Sequence, residues 1–337
     1  MPTVAIDARD ALDPQLRGWG RYTRELVRAL RERQPDGLEF HFYERGLPGP
    51  ELLSEQVSLP LLLRRRRAAA VHVPNCFLPL RRPCPGVVTI HDLAFEAMPD
   101  DFSRRTGWKF RTFAPRAARS AERVICVSEF TRDDLCDRYD VEPDKVRVIN
   151  PAPALPEGSS EPPEGLYLLA VGDLRGKKNL MRLVEAVRLL REDGLPHRLL
   201  LAGLDSGEGA RLREAAGDAP VELLGYLPDE GLDAVIRGAQ VLVQPSLYEG
   251  FGLTVVEAMA RGCPVACAQA GGLPEAGGDA AVYFDPLDPA DIAAAIRALV
   301  EDEDLRERMI EGGRARAAEL SWDDVADRTI SVYRELI

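Results

Sequence analysis

The sequence predicts an α/β protein with two doubly wound parallel sheets, each in a Rossmann-like domain of its own. Short β-branched apolar runs alternate with longer amphipathic stretches along the chain, the pattern of parallel strands covered by crossover helices. The alternation breaks once, in a proline-rich stretch near the middle, and then restarts. At 337 residues the chain is also more than twice the roughly 150 that one domain core usually holds.

In the first half, strands are expected at residues 3–6, 39–43, 70–73, 87–90, 123–127 and 146–149. Helices fall between them, most clearly at 21–33, 104–118 and 131–139. Ser128 is the expected N-cap of the last, its hydroxyl taking one of the orphan N–H groups. From Asn150-Pro151 to Pro162-Pro163 the proline content rules out a sheet interior and predicts a linker over 151–164. It separates a first domain at 1–150 from a second at 165–320. The pattern resumes with strands at 166–171, 198–202, 221–224, 241–244 and 265–268, and helices at 180–190, 232–239 and 254–261. Helices at 289–300, 305–319 and 322–336 close the chain, and the segment 321–337 is expected to cross back to the first domain. The carboxyl ends of the two sheets are expected to face each other across a cleft, where open α/β folds take ligands.

A mean hydropathy of -0.18, 45% hydrophobic and 29% charged residues describe a globular chain. No apolar run reaches the roughly 18 residues of a spanning helix, and the opening Met1-Pro2-Thr3-Val4 lacks the basic start and apolar core of a signal peptide. A cytoplasmic location is expected. Six cysteines with no CxxC pair suggest neither a zinc site nor a disulfide framework. The net charge of -12 is uneven: residues 1–150 carry 25 Lys+Arg against 22 Asp+Glu, and the remainder 18 against 33. Arg64-Arg65-Arg66-Arg67, and Arg104-Arg105 with Lys109, Arg111 and Arg116, either form solvated surfaces or face an anionic acceptor or an anionic inner membrane face. No nucleic-acid partner is expected.

The most informative segment runs from Gln244-Pro245-Ser246 through Glu249-Gly250-Phe251-Gly252-Leu253-Thr254 to Glu257. A strand ends at Pro245, glycines let the backbone turn, and a helix begins near Leu253. Its free N–H groups and positive dipole end make an anion site without a metal. Glu249 in the turn can accept bonds from ligand hydroxyls, and Glu257, about one turn into the helix, can grip a vicinal diol such as ribose. The same spacing also suits a helix whose first turn is acidic for stability alone.

This segment resembles the EX7E signature of the GT-B glycosyltransferases of family 4, and Arg261-Gly262-Cys263-Pro264-Val265 and Gly271-Gly272-Leu273-Pro274-Glu275 also fit. The resemblance extends across the chain and makes 1–150 the acceptor domain and 165–320 the donor domain. It implies that Glu249 lies by the donor sugar, that Gly250, Phe251, Gly252, Leu253 and Thr254 supply backbone donors, and that Glu257 holds the ribose. In Val171-Gly172-Asp173-Leu174-Arg175-Gly176-Lys177-Lys178-Asn179, Lys178 matches the family lysine that neutralises the donor diphosphate. Many members carry arginine directly after the first glycine, where this chain has Asp173. Arg175 or Lys177 then supplies the missing charge, or both are exposed loop cations.

Arg17-Gly18-Trp19-Gly20-Arg21-Tyr22-Thr23 resembles the family's amino-terminal glycine loop, with Gly20 letting a helix start approach the diphosphate or acceptor. A dinucleotide fingerprint fails there, because Thr23 stands where GxGxxG needs glycine and the loop begins well beyond the first strand. His91, at a strand end before Asp92, matches a family histidine that lies against the donor sugar; its other reading is structural. Gly225-Tyr226-Leu227-Pro228 is expected to border the donor base.

The resemblance implies a retaining, metal-independent transfer of a hexosyl group of mannose, glucose or N-acetylglucosamine type. The donor is a UDP- or GDP-sugar and the acceptor a hydroxyl of a sugar, glycolipid or small molecule. The chain has no convincing DxD motif, and no cofactor is expected beyond the nucleotide sugar. The acceptor hydroxyl attacks from the leaving-group face, assisted by a phosphate oxygen, with no side-chain nucleophile. The alternatives are a sugar-nucleotide epimerase of the same fold and a nucleotide-sugar-binding protein without turnover, which Asp173 keeps open.

Overall fold

The computed structural model describes residues 1–33, 35–44 and 47–337. In chain order, β1 (Thr3–Asp7) leads to α1 (Gly18–Arg33), β2 (Glu39–Tyr43) and α2 (Glu51–Leu53), which passes through a wide π-helical turn at Ser54–Ser58 into α3 (Leu59–Arg66). Then come β3 (Ala70–Val73), β4 (Gly86–Ile90), α4 (Ala94–Ala97), α5 (Arg104–Ser120), β5 (Arg123–Cys126), α6 (Glu129–Tyr139) and β6 (Val146–Val148). The second series comprises β7 (Tyr167–Val171), α7 (Leu180–Glu192), β8 (Arg198–Ala202), α8 (Gly209–Ala216), β9 (Val221–Gly225), α9 (Asp229–Arg237) and β10 (Val241–Gln244). It continues with α10 (Leu253–Ala260), β11 (Val265–Ala268), α11 (Leu273–Gly277), β12 (Val282–Phe284), α12 (Pro289–Glu301), α13 (Glu303–Ala318) and α14 (Trp322–Arg334).

The chain divides into two compact units, Met1–Ala152 with Ser321–Ile337, and Pro153–Leu320. Each holds one six-stranded, all-parallel sheet, ordered β2-β1-β3-β4-β5-β6 in unit 1 and β12-β11-β10-β7-β8-β9 in unit 2. The central strands β3, β4, β10 and β11 are buried along their whole length, as strands covered by helices on both faces must be. In unit 2 the chain leaves β7 toward β8 and β9, then returns to lay β10 on the other side of β7. The loops after β7 and β10 therefore diverge at a topological switch point, where such sheets open a crevice.

Several boundaries differ from the sequence expectation. Helix α1 begins at Gly18 rather than residue 21, α9 spans Asp229–Arg237 rather than 232–239, and α10 spans Leu253–Ala260 rather than 254–261, while β10 spans Val241–Gln244 as expected. Helices α2, α3, α4, α8 and α11 and the strand β12 are not among the expected elements.

In unit 1, α14 packs on α1, with Trp322 edge-on to Tyr22 at 5.5 Å between ring centroids. Beneath it, buried His72 bonds Tyr333 Oη at 2.6 Å through Nδ1 and Thr89 Oγ1 at 2.8 Å through Nε2. In unit 2, the proline-rich segment has no regular structure but is not free. Fully buried Asp233 on α9 takes Gly158 N at 3.0 Å and binds both Arg237 and Arg261 at 2.7 Å, and these arginines hold the carbonyls of Ser160 and Leu155. Burial opposes the Asp233 charge, yet the bonds from Arg237 and Arg261 keep its carboxyl below the ordinary range. No helix among the described residues is long and apolar enough to cross a membrane.

Candidate functional site

The loop after β7 brings two lysines to the switch point of unit 2. Gly172, at φ 142°, has no side chain because Lys178 lies over it: a Cβ there would meet Lys178 Cε at 2.5 Å. Residues Gly176–Lys178 form a single 3-10 turn, and Asn179 ends it in the left-handed conformation at φ 56°. The Asn179 amide then donates to the carbonyls of Pro245 at 3.0 Å and Pro286 at 2.7 Å, and Leu247 N donates to Lys177 O at 2.9 Å. These bonds fix the lysine turn against the loop after β10.

On that loop Glu249 is the centre of the charged cluster. Lys178 Nζ lies 2.6 Å from its Oε1, and Lys177 Nζ 3.8 Å from its Oε2. Ser246 Oγ and Gln244 Nε2 donate to the same Oε1 at 2.8 and 3.2 Å. The Glu249 side chain is only 13% exposed. Burial alone pushes its carboxyl up, but the charges of Lys178 and Lys177 and the bonds from Lys178 and Ser246 outweigh it and hold the pKa at about 2. At neutral pH Glu249 is therefore an acceptor of hydrogen bonds and not a proton donor. Arg175 goes elsewhere: its Nη2 pairs with Asp173 Oδ2 at 2.9 Å. Of the two cations proposed to replace the missing arginine, Lys177 joins Glu249 and Arg175 is offset by Asp173.

Gly250, Phe251 and Gly252 carry the chain from Glu249 into α10. The Phe251 side chain is buried, so only its backbone remains for a ligand. Gly252 is the N-cap of α10 at φ 119°, and no side chain caps the helix. Leu253 and Thr254, at the helix start, are half-buried. Gly271 and Gly272 support this loop from behind, since a Cβ on either would strike the backbone of Glu249 or Gly250 at 2.6 or 2.3 Å, and Gly272 N donates to Glu249 O at 2.8 Å. Glu257, one turn into α10, is 3% exposed.

The two other predicted residues lie in unit 1. His91 follows β4; its Nε2 donates to Pro74 O at 2.9 Å, which leaves Nδ1 as the acceptor, and its ring stands edge-on to Tyr22 at 4.8 Å. Burial lowers its pKa, so the imidazole is neutral at pH 7. Gly20 is buried inside α1, where a Cβ would meet Asp10 O at 2.9 Å and Leu16 Cδ2 at 3.2 Å. Its lack of a side chain is used by packing within the chain. Among the described residues no cluster of three or more His, Cys, Asp or Glu is placed to hold a metal ion.

Residues 16–152 match the family described as Glycosyltransferase Family 4, and residues 153–316 that described as Glycosyl transferases group 1. The chain belongs to the family 4 glycosyltransferases. The O-antigen chain mannosyltransferase B of Escherichia coli is 29% identical over 98% of this chain and 99% of its own. The sucrose-phosphate synthase of Thermosynechococcus elongatus has the same fold, with a TM-score of 0.76 at 21% identity, over 100% of this chain and 99% of its own. So does Anabaena HepE, solved with UDP and glucose, with a TM-score of 0.75 at 18% identity over the full length of both chains.

Within this glycosyltransferase, three supporting groups escaped the sequence reading. Gln244 and Ser246 orient Glu249, and the signal was present, because polar Gln244 and, after Pro245, Ser246 follow the apolar run Val241–Val243 at a strand end. Asp233 had no such signal; its importance comes from arginines brought to it by the fold.

Proposed function

We propose that this glycosyltransferase moves a hexosyl group, of mannose, glucose or N-acetylglucosamine type, from a UDP- or GDP-sugar to a hydroxyl acceptor in glycan, glycolipid or polysaccharide synthesis. The transfer is retaining and uses no metal. The observation that carries the reading is the convergence of Lys177 and Lys178 on Glu249, four residues before the uncapped start of α10. The name of the E. coli mannosyltransferase supports a mannosyl donor, and the UDP and glucose with which HepE was solved support a nucleotide sugar.

In this reaction the bond from the anomeric carbon to the diphosphate oxygen breaks, and that oxygen takes the electron pair. Two ammonium groups and the N–H groups at the start of α10 are suited to stabilise the growing negative charge. Glu249, ionised and hydrogen-bonded, is suited to orient sugar hydroxyls. With its pKa at about 2 it is a weak base and a weak nucleophile. That supports transfer in which the acceptor oxygen bonds the anomeric carbon on the leaving-group face and its proton passes to a phosphate oxygen. Glu257, buried on α10, is assigned to the ribose diol, and neutral His91 to a sugar hydroxyl.

The test is a thermal-shift and transfer panel with UDP, GDP, ADP and their common sugars on the wild type and Lys178→Ala. The wild type should be stabilised by one nucleoside diphosphate, and Lys178→Ala should lose that shift and about 100- to 1000-fold in transfer. Unchanged turnover removes Lys178 from the site. Donor conversion without acceptor identifies an epimerase, and donor binding with no transfer to any acceptor a binding protein.

A further inference from the structure

Asp233 is a fully buried charge outside the cluster at Glu249, and its two arginines lead to different places. Arg237 Nε meets Oδ2 at 2.7 Å, and its Nη2 goes on to Ser160 O at 2.6 Å in the proline-rich segment. Arg261 Nε meets Oδ1 at 2.7 Å, and its guanidinium goes on to Leu155 O at 2.5 Å and, through Nη1, to Glu257 O at 3.4 Å. One carboxylate thus joins α9 to the last turn of α10. The fit is close: the Arg261 side chain is 6% exposed, and a Cβ on Gly158 would lie 3.2 Å from Asp233 Oδ2.

Helix α10 is held from this end. Its start at Gly252 carries no side-chain cap, whereas its carboxyl end turns at Gly262, φ 69°, with Cys263 N donating to Ala258 O at 3.0 Å. The carbonyls of a last turn lack partners within the helix, and a cationic side chain there both bonds them and suits the helix dipole. With eight residues α10 is a short rigid rod, so a shift at Arg261 is carried to Glu257 one turn away and on to the uncapped start.

We infer that Asp233 is a positioning residue for nucleoside binding: through Arg261 it sets where Glu257 stands, without itself touching the donor. The inference rests on the assignment of Glu257 to the ribose diol. Helix α9 follows directly on Gly225-Tyr226-Leu227-Pro228, the segment expected to border the donor base, with Leu232 N donating to Pro228 O at 2.9 Å. A nucleoside has a fixed span from base to ribose, so the helices that serve its two parts must keep a fixed offset. A buried ion pair specifies that register where apolar packing alone tolerates sliding.

The test measures binding of the full chain to UDP and GDP and to their 2′,3′-dideoxy forms. The wild type should prefer the ribose form of its nucleotide by about tenfold or more, the worth of hydroxyls bonded to a buried carboxylate. Asp233→Asn and Arg261→Gln should cut that preference to about threefold or less and raise the Michaelis constant for the sugar donor about tenfold, with turnover little changed, because ribose contacts are made alike in ground and transition states. Arg261→Gln leaves Asp233 its bonds to Arg237 and Gly158, so it decides the matter if Asp233→Asn does not fold. Arg237→Gln, which touches the same carboxylate but not α10, should lower the melting temperature and leave the preference as in the wild type. The inference is overturned if folded Asp233→Asn or Arg261→Gln keeps the wild-type preference, or if Arg237→Gln erodes it equally, since the carboxylate then serves stability alone. Glu257→Gln separates the two readings. If it keeps the ribose preference, the ribose assignment falls and this inference with it; if it loses the preference while Arg261→Gln does not, only the inference falls.

Discussion

Helices α6 and α10 each follow a parallel strand, one in unit 1 and one in unit 2, and they begin in opposite ways. At α6 the Ser128 hydroxyl accepts from Thr131 N at 2.9 Å, so the start of the helix is satisfied by its own chain. At α10 the same position is Gly252, in a backbone conformation that L residues rarely adopt, with no side chain to bond the first turn. Helices α5, α12, α13 and α14 follow the first pattern, with Ser103, Asp288, Asp302 and Ser321 as caps. A serine cap contributes roughly 1 kcal/mol, and forgoing it beside two lysines is what an anion site requires. The groups around the two helix starts differ in the same sense: hydroxyls beneath α6, a carboxylate with two ammonium groups before α10.

The largest expected effect of this contrast is on acid stability. Unit 1 buries a neutral ring: His72 is held at about 3 by burial, against an ordinary 6.5. Below pH 6.5 the unfolded chain takes up a proton that the folded one refuses, so unit 1 loses up to about 1.4 kcal/mol per pH unit as the pH falls toward 3. Unit 2 buries a charge. Glu249 at about 2, against 4.5 unfolded, contributes stability that is complete above pH 4.5 and is lost as the pH falls through 2, about 3 kcal/mol in all. Glu55, also in unit 1, is pushed up to about 7 by burial, so the folded chain takes up a proton there between pH 7 and 4.5 and offsets the His72 loss over that range. Hydrogen exchange followed in unit 1 should therefore show it loosening below about pH 4.5, and from about pH 6.5 in Glu55→Gln. An onset that stays at pH 4.5 in Glu55→Gln would mean that His72 does not govern unit 1.

Much of the fold was legible because strands such as 198–202, 241–244 and 265–268 are predominantly apolar runs whose length and flanks leave little choice. The elements that escaped are those held by tertiary contact rather than local pattern. Strand β12, for one, is three residues long and exists by pairing with β11. In the site, Glu249, Glu257 and Lys178 stood out through the resemblance, but their geometry did not. The Lys178–Glu249 pair spans 71 positions of sequence, and nothing local indicated that Lys177 rather than Arg175 would turn toward the carboxylate.

A middle-sized effect is expected from giving α10 the cap it lacks. Gly252→Ser sets a Cβ 2.9 Å from Leu273 Cδ2 and forces a side chain onto φ 119°. Strain and crowding together should cost about 2 to 4 kcal/mol, and the added hydroxyl competes with any anion for the helix start. Both the melting temperature and the stabilisation by nucleoside diphosphate should fall. Retained ligand stabilisation in a less stable protein would separate the start of α10 from the anion site.

The smallest effect should come from the matching change at α6. Ser128→Ala removes a cap whose role is local, and the loss should be about 1 kcal/mol of unit 1 stability, read as a lower denaturant midpoint with an unchanged slope. Ser128 Oγ also bonds Thr131 Oγ1 at 3.0 Å, and Thr131 Oγ1 lies 3.4 Å from His91 O, so the cap sits one contact from a proposed sugar-binding residue. If α6 is only scaffold, the Michaelis constant for the donor stays at its wild-type value while stability drops. A raised constant at unchanged turnover would show instead that the capped helix positions His91, and that the division between a self-satisfied helix start and a ligand-facing one is less complete than the two N-caps suggest.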